Sequence, residues 1–278
     1  MANVSVFVLA PDFPTLEGCD MISGEYADSL AAAKRMGYDG VEIVMGDPDQ
    51  FNRDAFKDLI RAYDLKVSAI NCGAIQYIFK LGLVDSDARK MELAFTKLQG
   101  YMRHCHALGC IQQLGVARGF AVPGRPMRWF KDCLVDVLKR AAAYAATLQI
   151  PIAFEYTNRF EINTINTAVE ARELLERVGS PNLGILVDTY HSFLEDPDVY
   201  QNIRDLSGTI RYFHLHDSNR GAAMIGCGEN DFDRIVQACR LIHYGGWFGD
   251  GLLTLKYSEE DLRRSTSALH GLFRKHEI

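Results

Sequence analysis

Three side chains able to bind a cation stand where a charge is expensive to place. Glu155 lies inside "IAFEY", Asp188 closes "GILVD", and His214 sits in "YFHLHD". Their apolar and aromatic neighbours read as buried strands. A carboxylate in such surroundings is costly unless it is paired or coordinates a cation. Two carboxylates and an imidazole brought to one point suit a divalent cation such as Mn2+, Mg2+, Co2+ or Zn2+. A hydrogen-bonded or salt-bridged rim accounts for the same residues, and from the residues alone both readings stand.

To converge, the three must be delivered by neighbouring elements. Short apolar runs alternate with helical patterns along the whole chain. "VSVFVLA", "GVEIVM", "KVSAIN", "CIQQLGV", "IPIAFEY", "LGILVD" and "IRYFHLH" read as strands, and "GLLTLKY" (251–257) as an eighth. Each is followed by a helical pattern, the long third one running from Ala88 to Leu108. Near-continuous apolar strands indicate a parallel sheet covered on both faces. Eight β-α units in an α/β chain of this length close into a (β/α)8 TIM barrel, which typically takes about 250 residues. No Pro/Gly-rich linker or shift of composition divides the chain, so one barrel domain over 1–278 is expected. The rival, a doubly wound open sheet, lacks a GxGxxG after the first strand.

In such a barrel, chemistry sits where strands end. That rule adds Asn71 and Cys72 after strand three, Arg118 after strand four, His216 beside His214, and Lys256 at the end of strand eight. Asn71 is a candidate lining residue of the pocket mouth. His216, two residues beyond His214, points to the same side of its strand and reads as a support, a substrate contact or a packed histidine. Arg118 reads as a rim salt bridge first and as a group that reaches the substrate second. His104 and His106, on the long helix, read as surface or packing residues. Cys72 has no motif to supply a base and does not read as a nucleophile.

Composition narrows the remaining classes. The chain is 48% hydrophobic and 24% charged with a net charge of −6, which offers no nucleic-acid surface. No apolar run approaches the ~20 residues of a membrane helix, and no basic region precedes the N-terminal apolar run. Seven scattered cysteines without a CxxC read as reduced thiols of a cytoplasmic protein.

"FEYTNRFEINTINTAVEARELLERVGSPNLGILVDTYH" followed by "HLHDSNRGAAMIGCGENDF" resembles the sugar isomerase/epimerase superfamily of xylose-isomerase-like TIM barrels. Within it, the likeness is to the ketose 3-epimerase branch (D-tagatose, D-psicose and L-ribulose 3-epimerases). "GYDGVEI" and "ALGCIQQLGVARG" carry a weaker likeness in the first half. The combination E-x5-E, D-x2-H and H-x5-R is specific where one of them alone is not. The resemblance implies that Glu155, Asp188 and His214 hold a divalent metal, Mn2+ foremost, and that Glu155 is also one of two acid/bases. It implies that Glu161 and His191 contact a sugar near its reacting carbonyl and that Arg220 binds its hydroxyls or carbonyl oxygen. The family's chemistry is proton removal alpha to a ketone, with the metal stabilising the enediolate and a glutamate taking the proton. A second carboxylate on the opposite face returns the proton. The partners implied are a small sugar, unphosphorylated for want of a phosphate motif, and copies of the chain in a homodimer or homotetramer.

The family's fourth ligand is a glutamate ending strand eight, which doubles as the second acid/base. Lys256 stands in that place here. An ammonium has no lone pair and repels a dication, so Lys256 enters as a catalytic candidate. It would act protonated on an oxyanion, or neutral with a lowered pKa. Asp250, in "WFGD", is the alternative ligand. The leading expectation is 3-epimerisation. The alternatives are a keto-sugar lyase or dehydratase, including a C-glycoside deglycosidase large subunit with a small second subunit, and a non-catalytic sugar-binding barrel.

Overall fold

The computed structural model describes residues 2–14, 21–219, 225–250 and 258–278. Its strands are β1 (Asn3–Leu9), β2 (Gly40–Val44), β3 (Lys66–Asn71), β4 (Ile111–Leu114), β5 (Ile152–Glu155), β6 (Leu183–Asp188), β7 (Ile210–Leu215) and β8 (Trp247–Asp250). They pair in parallel in chain order, and β8 returns to β1, closing the barrel. The helices are α1 (Tyr26–Arg35), α2 (Arg53–Ala62), α3 (Ala74–Tyr77), α4 (Ala88–Leu108), α5 (Met127–Leu148), α6 (Ala168–Val178), α7 (Thr189–Glu195), α8 (Val199–Asp205), α9 (Phe232–Leu241) and α10 (Glu259–His276). Their ends follow local chemistry. The Thr167 hydroxyl caps α6 and Gly179 closes it in the left-handed region, while Ser258 and Asp261 form a capping box on α10. Among the described residues, no helix is long and apolar enough to cross a membrane.

The strand alternation sorts side chains into two cores. Phe154, Val187, Phe213 and Phe248 face the helices and join the main core. Full burial of such a side chain stabilises by roughly 1.5–3 kcal/mol. The intervening residues Ala69, Ala153, Leu186 and Tyr212 fill the barrel interior. Tyr212 shares hydrogen bonds of 2.8 Å with both Ser5 and Ser68 hydroxyls. One inward step further along β5, β6 and β7 come Glu155, Asp188 and His214, so the alternation that packs the floor also aims the polar groups above it.

The eighth strand corrects the expectation from sequence. It is Trp247–Asp250, paired with Tyr212–Leu215 on one side and Asn3–Val6 on the other. Phe248 stacks on Phe213 and packs against Phe273 of α10. The segment 251–257, with Lys256, lies outside the described residues. Gly249 makes "WFGD" a weak strand by propensity, yet the barrel requires it: a Cβ there would meet His214 Cδ2 at 3.0 Å and the Tyr212 hydroxyl at 3.2 Å.

Candidate active site and metal centre

Two successive pairings bring the polar groups level. Asp188 is opposite His214 in the β6–β7 register, and His214 is opposite Gly249 in β7–β8. His214 lies at the centre, with its Nδ1 3.1 Å from Glu155 Oε1 and 3.8 Å from Asp188 Oδ2. Its Nε2 lies 2.9 Å from Glu42 Oε2. Glu42 comes from the middle of β2 and is fully buried. Burial opposes a charge on His214, but the Glu42 and Glu155 carboxylates on its two nitrogens outweigh it and push its pKa up to about 10. Both ring nitrogens face carboxylates, and a cation bound at Nδ1 would take the place of any proton between that nitrogen and Glu155.

Asp188 divides its oxygens between two tasks. Oδ1 accepts the Tyr190 and His191 N–H groups and so caps α7. Oδ2 accepts from His216 Nδ1 at 2.8 Å and lies 3.7 Å from His191 Nε2. Burial opposes its ionisation, yet His191, His216 and His214 around it hold the carboxyl well below the usual range. Glu155 is held from the other side. Its Oε2 accepts from Gln113 Nε2 at 2.8 Å, and its Oε1 also lies 3.7 Å from His191 Nε2. Gly115 leaves room for this carboxylate, because a Cβ there would stand 2.5 Å from Oε2.

The donor set fits a divalent cation. Glu155, Asp188 and His191 each offer one atom within 4.8 Å of the others, and His214 Nδ1 faces the same two oxygens. Two carboxylates and imidazole nitrogen suit Mn2+, Co2+, Zn2+ or Mg2+. The Glu42–His214 contact supplies the carboxylate that commonly stands behind a ligating histidine. These groups floor a cavity of about 370 Å3, within the ~300–1,000 Å3 range of small-molecule sites. Phe7, Phe13, Met21, Val44 and Tyr77 form its apolar wall.

Comparison with known proteins shows the family. The model of the xylose isomerase-like TIM barrel family matches residues 30–264. The chain belongs to that family. A ketose 3-epimerase of Arthrobacter globiformis is 30% identical over 78% of this chain and 74% of its own length. An L-ribulose 3-epimerase of Methylomonas sp. is 30% identical over 78% and 75%. A solved L-ribulose 3-epimerase superposes with a TM-score of 0.81 at 22% identity, covering all of this chain and 97% of that one. The protein is thus a sugar isomerase/epimerase-type enzyme of the ketose 3-epimerase branch.

The structure brings several of the residues expected from sequence to one cavity. Glu161, His191, His216 and Asn71 all line the cavity with Glu155, Asp188 and His214. Asn71 also accepts the Gly73 N–H, which turns the chain into α3. Arg220 and Lys256 lie outside the described residues. Asp250 is not at the site. It faces the helices, accepts from the Tyr38 hydroxyl at 2.7 Å and contacts Ser265, and burial pushes its pKa up to about 6. Arg118 is no rim salt bridge. It is wholly buried, and its guanidinium donates to the carbonyls of Gly115, Glu155, Thr164 and Ile165. It thereby ties the loop after β5 to the barrel. Cys72 is buried, and desolvation pushes its thiol up to about 12. His104 and His106 bond the carbonyls of Pro48 and Leu148, as packing residues do. Glu42, Gln113 and Asn158 join the site without a motif that marks them in the sequence. The cost of burying a charge in "GVEIV" would have flagged Glu42.

Proposed function

We propose that this protein is a metal-dependent sugar epimerase that removes a proton alpha to the carbonyl of a ketose or keto-sugar. The observation that carries the reading is the meeting of Glu155 Oε1, Asp188 Oδ2 and His214 Nδ1 on the cavity floor. Those three would hold the cation, with Mn2+ the leading candidate. When bound, the cation supplies Lewis-acid polarisation of a sugar oxygen. Glu155 is the base, ionised and oriented by Gln113. The C–H electron pair passes to the carbonyl oxygen as an enediolate forms, and the proton rests on Glu155. Glu161 and His191 contact the sugar about the reacting carbon, with Asn71 and His216 at the pocket wall. Arg220 and Lys256 complete the proposal, Arg220 on sugar oxygens and Lys256 as the group that returns a proton.

One observation favours a second reading. Among the described residues, β8 sends no carboxylate inward: Gly249 faces His214 and Asp250 faces the helices. The wall formed by Phe7, Phe13, Met21 and Val44 is apolar. Proton removal by Glu155 followed by loss of a leaving group requires no acid on that wall. Protein stripped by a chelator and reloaded with Mn2+ should be incubated with D-psicose, L-ribulose and a 3-keto-glucoside, with products read by NMR. A C3 epimer supports the first reading and a released leaving group the second. No turnover of any sugar, with no cation bound, contradicts both.

A further inference from the structure

Two histidines flank the same pair of carboxylate oxygens, and their hydrogen bonds give them opposite roles. Asn158, buried in the loop after β5, makes three contacts. Its Oδ1 accepts the Phe160 N–H at 3.0 Å. Its Nδ2 donates to Glu161 Oε1 at 2.9 Å and lies 2.8 Å from His191 Nδ1. The amide cannot be turned over: its oxygen would then face the Glu161 carboxylate, and its nitrogen would face the Phe160 N–H. Both Nδ2 hydrogens are therefore directed outward, one to Glu161 and one to His191. A proton on His191 Nδ1 would set N–H against N–H at 2.8 Å, so that nitrogen must accept. The neutral ring then carries its proton on Nε2, 3.7 Å from both Glu155 Oε1 and Asp188 Oδ2.

Within the reading above, we propose that Asn158 is a positioning residue that fixes His191 as an Nε2–H donor toward the substrate and withholds it from the metal. A cation at Nε2 would have to drive the ring's proton onto Nδ1, against the Asn158 amide hydrogen, whereas at His214 it displaces only a proton lying between Nδ1 and the carboxylates. His214 is arranged the other way, with Nε2 committed to Glu42 and Nδ1 turned to the carboxylate oxygens. His191 is left to donate to the substrate oxygen on which negative charge develops, where one such donor is worth ~10²–10³ in kcat. Asn158 holds Glu161 with its other hydrogen, so one amide sets two sugar contacts.

The test is the side-chain 15N–1H spectrum of histidine-labelled, metal-free protein, with His191 assigned by the signal lost in His191→Gln. The expected spectrum has His191 unprotonated at Nδ1 and protonated at Nε2, and on titration with Zn2+ the large shift falls on His214. Asn158→Asp replaces the donor with an acceptor. It should move the His191 proton to Nδ1 and lower kcat by ~10²-fold while the metal stays bound. A wild-type His191 protonated at Nδ1, or a Zn2+ shift centred on its Nε2, overturns the proposal. The wild-type spectrum decides even where the variant fails to fold. It needs no substrate, so failure of the sugar reading would show separately, as absent turnover.

Discussion

Asp250→Asn separates a carboxylate facing the helices from one facing a metal. The Asp250 side chain is wholly buried against Tyr38 and Ser265, and desolvation, only partly offset by those two hydroxyls, raises its pKa from 3.8 to about 6. The unfolded chain ionises this group near 3.8 and the folded chain near 6. Ionisation therefore favours unfolding between those values, and stability falls as pH rises through the window. A shift of about two units corresponds to about 3 kcal/mol, present in full above pH ~6 and absent below pH ~4. Asparagine keeps an acceptor for Tyr38 and carries no charge. Asp250→Asn should melt above the wild type at pH 7.5 by on the order of 5 °C, taking ~2 °C per kcal/mol for a chain of this size. The gain should vanish near pH 4, and bound metal should not change. Thermal melts from pH 4 to 8 with metal analysis read both. A variant that melts lower at pH 7.5, or that loses its metal, would refute the placement of Asp250.

Gly115→Ala puts a methyl group 2.5 Å from Glu155 Oε2, and a displaced base should cost at least ~10²-fold in turnover with the fold retained; circular dichroism beside a rate assay checks this. Glu42→Gln removes the carboxylate behind His214, and metal affinity, read by chelator competition, should fall about 10- to 100-fold. An unchanged affinity would mean that Glu42 does not orient the ligand. Arg118→Met takes the side-chain donor from the buried carbonyls of Glu155, Thr164 and Ile165, while Gly115 O keeps the backbone N–H of residue 118, and at about 1–3 kcal/mol for each buried group left unsatisfied the melting temperature should drop sharply. A drop of less than about 2 °C would contradict the buried-staple role.

Much of this was legible in the chain because charge and periodicity leave clear signals. The apolar runs mark the barrel strands, and Glu155, Asp188 and His214 stand out because each interrupts or ends such a run. Glu42 interrupts one too, but it lies mid-strand, and nothing linear records that it meets a residue 172 positions away. β8 was misplaced because "GLLTLKY" is the longer apolar run, whereas "WFGD" carries the glycine that His214 needs beside it. Arg118 looked like a rim residue because the return of the loop after β5 over it is a tertiary event. Gln113 and Asn158 are neutral amides, so the cost of burying a charge does not reveal them. Only their contacts do so, Gln113 with Glu155 and Asn158 with Glu161 and His191.

The central claim is that Glu155 takes a proton from the carbon beside a sugar carbonyl. Deuterium wash-in is its most direct test. Mn2+-loaded wild type and Glu155→Gln are incubated with L-ribulose or D-psicose in D2O, and the C3 proton signal is followed by NMR. The account predicts loss of that signal with the wild type and retention with Glu155→Gln, whether or not an epimer accumulates. Exchange that proceeds undiminished in Glu155→Gln would contradict it.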